Sequence, residues 1–203
     1  FPGTLKYNHK DVRNVLERAS ARETAARVAV GSICKKFLME IGIDIKSRVI
    51  SIGWEKTSVT NVDQINWEHV ENSIVRSTNT KEEQLFTNVI DQAKKERTTI
   101  GGVFQVIGFG IPLGLGDYIQ WDNKLDGKIA QSMMSINAVK GVEIGNGFNN
   151  TEKYGNSVQD IIVPNSKDER KFTQKTNHAG GLEGGMSNGN NIIVNVAVKP
   201  IAT

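Results

Sequence analysis

The sequence has little cysteine and no long apolar run, and both features limit the class of protein that it can encode. Cys34 is the only cysteine among 203 residues, so an internal disulfide is impossible. Because Cys34 lies within a helical pattern among apolar neighbours, we predict that its thiol is buried. No apolar run is long enough to cross a bilayer, and no signal peptide is visible. We therefore predict a cytoplasmic protein without a membrane partner.

The sequence also lacks concentrated charge and grouped metal ligands. The formal net charge is +3 and the isoelectric point is about 8.9, without blocks of like charge or a basic stripe interleaved with aromatics. This balance is compatible with a small anionic ligand and predicts no nucleic-acid partner. The three histidines, His9, His69 and His178, do not have the spacing of metal ligands, which predicts no metal site. No serine or cysteine nucleophile is accompanied by a convincing base.

Hydrophobic periodicity predicts an α+β fold, because helices and hairpin-like strands are mixed without a regular βαβ rhythm. The predicted helices are 21–40 with Gly42 as its C-cap, a helix from a capping box at Thr80 and Glu83 to about 97, and 122–136. The predicted strands are 43–52 with a bend at 46–48, a covered strand over 102–109, 142–144 followed by a hairpin turn at 145–147, and 192–198.

The stretch from Glu17 to Ile33 is the most informative part of the chain. Arg18 and Arg22 flank Ser20, which has capping-box spacing with Glu23 at the start of a helix rich in small residues. A helix N-terminus carries partial positive charge and unpaired N–H groups, and arginine offers forked donors for phosphate or carboxylate. The pattern predicts an anion-binding helix start. An ordinary capped helix with two solvated arginines is the alternative that the spacing leaves open.

Two further stretches have the composition of ligand contacts. Residues 177–189 contain His178 and five glycines, whose backbone can take positive φ and lie against a ligand. A flexible glycine loop is the alternative, because no nucleotide-binding fingerprint is present. Lys199 and Pro200 follow a predicted strand, where the lysine could face a phosphate or the strand could simply end at the proline.

Three long motifs resemble the chorismate synthase family, and the resemblance covers essentially the whole chain in the family's order. They are residues 17–33, which begin Glu17-Arg18-Ala19-Ser20-Ala21-Arg22-Glu23-Thr24, residues 134–145, which contain Ser135-Ile136-Asn137-Ala138-Val139-Lys140-Gly141, and residues 177–185, which contain Asn177-His178-Ala179-Gly180-Gly181.

The resemblance implies a single domain, with helices packed between antiparallel β-sheets, in an enzyme that is a cytoplasmic homotetramer. It implies a carbon–oxygen lyase that converts 5-enolpyruvylshikimate 3-phosphate to chorismate by 1,4-elimination of phosphate, with reduced FMN as cofactor. Whether reduced FMN comes from an intrinsic NADPH-dependent activity or from a separate reductase stays open.

The resemblance also assigns site residues by their match to the family's motifs. Ser20 and Arg22 would face the anionic groups of the substrate. The flavin contacts would be Arg18, Ala19, Ser20, Asn137, Ala138, Gly184, Lys199, Pro200, Ile201, Ala202 and Thr203.

This chain departs from the family in its histidines. The family has two catalytic histidines, in Gly-Glu-Ser-His-Gly and Arg-Pro-Gly-His-Ala-Asp motifs, and His9, His69 and His178 match neither. We therefore expect a core fragment of a longer chain that contains no catalytic residue and is inactive alone. A non-catalytic module that binds FMN or an anion, and an oligomerisation core, are the alternatives.

Overall fold

A computed structural model describes residues 1–19, 22–168 and 170–201. Three helices lead into the fold: α1 (Pro2–Tyr7), α2 (Arg13–Ala19) and α3 (Arg22–Glu40). Helix α3 confirms the predicted main helix, and Gly42 has the left-handed φ of +83° expected of its C-cap. The backbone N–H of Ile43 donates to the carbonyl of Leu38 and closes the last turn. The predicted N-cap, Ser20, lies outside the described residues.

The remaining elements build one antiparallel sheet with helices beside it. In chain order they are β1 (Asp44–Ile52), β2 (Glu55–Lys56), α4 (Trp67–Asn72), α5 (Thr80–Lys95), β3 (Gly102–Phe109), α6 (Leu125–Met134), β4 (Val139–Ile144), α7 (Gly155–Val158), β5 (Ile162–Pro164), β6 (Phe172–Gln174), β7 (Leu182–Glu183), β8 (Met186–Ser187) and β9 (Ile192–Val198). The large sheet has the order β2-β1-β3-β9-β4, and β5-β6 and β7-β8 are separate hairpins. The α+β prediction is confirmed, with 102–109 as the middle strand.

The two faces of the sheet pack against different partners. One face presents Val194 and Val196 of β9, and α6 covers it through Leu125 and Ile129. The opposite face presents Ile107 of β3 to a smaller cluster around α4. Alternate residues of a strand point to opposite faces, so the two clusters use alternate positions of the same strands. The large cluster is the one that fixes α6, and thereby the loop that follows it.

Three local predictions are wrong in their details. The register shift in β1 lies between Val49 and Ser51, and not at 46–48. Helix α5 is capped by Asn79, whose side chain accepts from the N–H of Glu82, so Thr80 is already helical. Strand β4 pairs with β9, and the turn at 145–147 leads into a 3-10 helix and not into a hairpin. In each case the local sequence is compatible with two conformations, and a tertiary contact or a neighbouring side chain determines which one forms.

Helix α3 contributes little to the packing of the described chain. None of its residues is buried, and the side chains of Val30, Ile33 and Phe37 are largely exposed along one stripe. Cys34 is also exposed, so the predicted buried thiol is wrong. Only the C-terminal end of α3 approaches the core, where Leu38 packs against the larger cluster. No described part of the chain covers the rest of the apolar stripe.

Candidate functional site

A tight turn at 136–139 connects α6 to β4. The N–H of Val139 donates to the carbonyl of Ile136 at 3.2 Å, and Asn137 and Ala138 form the two central positions. Ala138 has φ of +68°, the left-handed value that the third residue of a type II turn needs. An L-residue other than glycine is strained there by about 1–2 kcal/mol. Backbone strain of this kind is concentrated at functional sites.

The end of β9 lies directly beside this turn. The N–H of Lys199 donates to the carbonyl of Ala138 at 2.9 Å. Two residues later the carbonyl of Ile201 accepts a hydrogen bond of 2.5 Å from the hydroxyl of Thr99. Lys199, Pro200 and Ile201 are exposed, so a cation and two apolar side chains border the turn at the surface. Asn137, Ala138 and Lys199–Ile201 are thus brought together, while Ala202 and Thr203 lie outside the described residues.

The start of α3 reaches the same region through one side-chain contact. The Nη1 atom of Arg27 donates to the Ser135 hydroxyl at 2.8 Å, directly before the turn. Arg22 precedes Arg27 by five residues, which is about 7.5 Å along the helix axis. The guanidinium of Arg22 binds the Glu17 carboxylate at 2.6 Å, and both side chains are exposed. Arg18 is exposed in the last turn of α2. Arg18 and Arg22 therefore lie at the surface, and Glu17 is a competing anion for Arg22.

The glycine loop is tightly built rather than flexible. Gly145 and Gly180 approach so closely that a Cβ on either would collide with the backbone of the other segment. A Cβ on Gly181 would likewise collide with the backbone of Asn191. Gly184 differs, because its φ is +62° and no atom lies within 4 Å of its Cβ position. Most of these glycines are explained by close backbone packing, and Gly184 alone presents open backbone in the β7-β8 turn.

Gly184 lies at the opposite end of α6 from the Asn137–Ala138 turn. The N–H of Leu125, the first residue of α6, donates to the carbonyl of Gly185 at 2.8 Å. The ten residues of α6 span about 15 Å. The described chain therefore does not bring Gly184 next to Asn137 and Lys199, although the resemblance places all three at the flavin.

His178 is held in place by hydrogen bonds to Asn146 and Asp160. Its Nδ1 atom lies 2.6 Å from the Asn146 amide nitrogen, which donates and so places the ring proton on Nε2. The backbone N–H groups of His178 and Ala179 donate to the Asp160 carboxylate. Burial alone would raise the pKa of Asp160, but hydrogen bonds from Thr176 and these two N–H groups lower it below its ordinary value. Asp160 thus stays ionised and fixes the loop at neutral pH.

The described residues contain no group of three metal-ligating side chains that could hold an ion. In residues 1–19, 22–168 and 170–201, no helix is both long and apolar enough to cross a membrane.

A sequence profile of the chorismate synthase family matches residues 1–203. The chain belongs to the chorismate synthase family. Chorismate synthase of Staphylococcus carnosus (strain TM300) is 52% identical over 202 residues, which are 99% of this chain and 51% of that protein. Chorismate synthase of Sulfurihydrogenibium sp. (strain YO3AOP1) is 50% identical over 205 residues, which are 99% of this chain and 52% of that protein.

A crystal structure of chorismate synthase has the same fold as the whole of this chain. The two superpose with a TM-score of 0.93 at 46% sequence identity. The matched region is 100% of this chain and 62% of the solved chain. The chain spans about half the length of the curated relatives it matches. The chain therefore folds as the corresponding part of the solved chorismate synthase does.

Two features of the candidate site could not be found from the sequence. The left-handed conformation of Ala138 has no sequence signal, because alanine normally avoids positive φ. The contact from Arg27 to Ser135 joins residues 108 positions apart, and only the i,i+4 spacing of Arg27 with Glu23 was visible. That spacing predicts a solvated helix pair and gives no hint of the second contact.

We expect Ala138→Gly to stabilise the fold by about 0.5–1 kcal/mol. Glycine relieves the positive-φ strain of about 1–2 kcal/mol, and its greater freedom in the unfolded chain offsets part of that gain. Urea unfolding of the variant and of the unaltered chain measures the difference. Gly155→Ala in α7, where a Cβ has open space, is a control for the general effect of exchanging these residues. A destabilised Ala138→Gly variant would show that this backbone is not strained.

Proposed function

We propose that this chain forms the flavin-binding core of a chorismate synthase, an enzyme that converts 5-enolpyruvylshikimate 3-phosphate to chorismate. The observation that carries the proposal is the hydrogen bond of 2.9 Å between Lys199 and Ala138. It joins two segments, about 60 residues apart in the sequence, that the family resemblance assigns independently to FMN. Family membership alone does not require these two segments to be in contact within this half of the protein.

The chemistry of the two segments suits a phosphorylated heterocycle. Lys199 supplies a cation for a phosphate, and Asn137 supplies an amide that can hydrogen-bond a ring heteroatom. Pro200 and Ile201 supply apolar surface for a flat ring. Reduced FMN, when bound, would supply electron density as the phosphate of the substrate departs. Gly184 would meet the flavin only if the ligand, or another copy of the chain, bridges the length of α6.

Arg22 is proposed to neutralise anionic groups of the substrate. The substrate carries one phosphate and two carboxylates, so it requires several fixed cations at one place. Arg22 binds Glu17 in this structure, with both side chains exposed. Since an exposed ion pair contributes at most about 1 kcal/mol, a multiply charged substrate can replace Glu17 at small cost. The role of Ser20 stays a prediction, because Ser20 lies outside the described residues.

Two alternatives remain distinct from the enzyme core. A module that binds FMN or another anion without turnover shares the Lys199–Ala138 arrangement and differs only in lacking chemistry. An oligomerisation core is favoured by the exposed apolar stripe of α3, with Val30, Ile33 and Phe37. Homotetramer formation, a cytoplasmic location and an NADPH-dependent reduction of FMN are further parts of the proposal that come from the family resemblance.

A titration of oxidised FMN into this chain, followed by flavin fluorescence, tests the proposal. We expect saturable binding that tightens when 5-enolpyruvylshikimate 3-phosphate is present, and we expect Lys199→Met to weaken it about 10-fold by removing a charge-assisted contact of roughly 1.4 kcal/mol. Lys56→Met is the matched control, because Lys56 is exposed on β2 at the other edge of the sheet. Equal affinity in both variants would remove Lys199 from the site, and no binding by any form would refute the proposal for this chain.

A further inference from the structure

Arg27 links the start of α3 to the end of α6 through a forked set of hydrogen bonds. Its Nε atom donates to the Glu23 carboxylate at 2.9 and 3.0 Å, and its Nη1 atom donates to the Ser135 hydroxyl at 2.8 Å. The Ser135 hydroxyl donates its own proton to the carbonyl of Ser132 at 2.6 Å. The lone pairs of the Ser135 hydroxyl are therefore free to accept from Arg27. Arg27 thus acts only as a donor, and Glu23 and Ser135 both act as its acceptors.

The location of this contact makes it more than an ordinary surface ion pair. Ser135 is the C-cap of α6, so the positive charge of Arg27 lies at the negative end of the helix dipole. The Asn137–Ala138 turn begins directly afterwards, and Ala138 is held at a φ of +68°. Because a strained turn persists only when its surroundings fix it, the contacts on both sides of the turn matter. Arg27 acts on the entry side, and Lys199 acts on the exit side.

We propose that Arg27 is a positioning residue that holds the Asn137–Ala138 turn in the conformation that binds flavin. It acts through Ser135 and does not itself contact the ligand. The inference rests on the proposed function, in which this turn is part of the flavin site. It goes further by assigning a role to a residue that the family's motif resemblance left without one.

The size of the effect follows from the exposure of the contact. The Arg27 side chain is about two-fifths exposed, so its hydrogen bonds are screened by solvent. Loss of such a contact is expected to change the equilibrium constant between the correct turn and its opened form by about 5-fold, which matches an exposed charged hydrogen bond. Glu23 orients the guanidinium and is not expected to bind ligand, because its carboxylate is occupied by Arg27.

The first test measures the turn without any ligand. Hydrogen exchange of the Lys199 amide reports the turn, because this N–H donates to the carbonyl of Ala138. We expect Arg27→Met and Ser135→Ala each to accelerate exchange at Lys199 about 5-fold, with no change at the amide of Val194 in the middle of β9. Exchange at Lys199 that is unchanged in both variants would overturn the inference, whether or not the chain binds FMN.

The second test separates positioning from direct ligand contact by a double-mutant cycle on FMN affinity. If Arg27 acts only through Ser135, Arg27→Met, Ser135→Ala and the double variant all weaken FMN binding by the same factor, which is at most about 5. Arg27→Lys keeps the charge but loses the fork, so it is expected to resemble Arg27→Met. Additive losses, or full rescue by lysine, would mean that Arg27 contacts the ligand as a charge. Absence of FMN binding in the unaltered chain would refute the proposed function, and the exchange measurement would still decide the role of Arg27.

Discussion

Replacing Glu82 by glutamine is expected to destabilise the fold by about 3 kcal/mol at pH 7. The Glu82 carboxylate is buried at the start of α5 and accepts hydrogen bonds from Thr57, Ser58 and Thr78. Burial alone would raise the pKa of Glu82, but hydrogen bonds from Thr78, Ser58 and Thr57 outweigh it and lower the pKa to about 2. The difference from the ordinary value of 4.5 corresponds to about 3 kcal/mol of stability carried by the ionised form.

Arg48 increases the cost of removing this charge. Arg48 is only 2% exposed, its Nε atom donates to Gln105 at 2.9 Å, and its buried Nη1 atom has no hydrogen-bond partner among the described residues. Burial lowers the pKa of Arg48, whereas the charge of Glu82 raises it. Removing Glu82 therefore also removes a charge that favours the buried Arg48 guanidinium, and this adds to the cost.

The pH dependence of this effect has a definite sign. Because the pKa of Glu82 is lower in the folded chain than in the unfolded one, its carboxylate stabilises the fold above pH 4.5. That contribution is lost as the pH falls from 4.5 towards 2. Urea unfolding at pH 7 and pH 3 should therefore show a large difference between Glu82→Gln and the unaltered chain that becomes smaller at pH 3.

Glu83→Gln is the matched control for this experiment. Glu83 is the next residue of α5, and its side chain is about one-quarter exposed beside His69. Its replacement should cost less than about 1 kcal/mol. Equal stability of the Glu82 and Glu83 variants at pH 7 would contradict the assigned role of the buried carboxylate.

The elements that the sequence predicts well are those whose pattern is local. Strand β9 alternates cleanly, and β3 is apolar on both faces, so both are predicted with the bounds that the structure has. The turn at Gly145 was misread, because glycine there suggested a hairpin. Its actual cause is the close backbone crossing with Gly180, which joins segments 35 residues apart and leaves no local signal.

The sequence proposes which residues form the candidate site but not how they are arranged. The resemblance assigns Asn137, Ala138 and Lys199 to the flavin, and in the structure the N–H of Lys199 donates to the carbonyl of Ala138, the residue after Asn137. It also named Gly184, which the described chain holds at the far end of α6. Two contacts depend on side-chain positions that sequence spacing does not predict: the ion pair of Arg22 with Glu17, and the hydrogen bond from Arg27 to Ser135. Long-range contacts of this kind require the packed structure.

The largest effect that we expect is on catalysis by the 203-residue chain alone. With reduced FMN and 5-enolpyruvylshikimate 3-phosphate under anaerobic conditions, chorismate formation should be at least about 10⁴-fold slower than with full-length chorismate synthase of Staphylococcus carnosus. General acid–base groups contribute roughly 10²–10⁴-fold each, and the two histidines that the family uses have no counterpart among the motifs of this chain. Release of phosphate and the absorbance of chorismate measure the rate.

The positions of the three histidines support this expectation. His9 is exposed after α1, and the Nε2 atom of His69 lies 3.4 Å from Glu83. His178 is fixed by Asn146, which follows the end of β4. The turn at Asn137 and Ala138 precedes the start of β4, so the six residues of this strand lie between them. A strand of this length spans about 20 Å, so His178 is too far from that turn to exchange a proton with a ligand bound there. Turnover within 100-fold of the full-length enzyme would contradict the prediction, and its loss in His178→Ala would then assign the chemistry to His178 and move the reacting centre to the glycine loop.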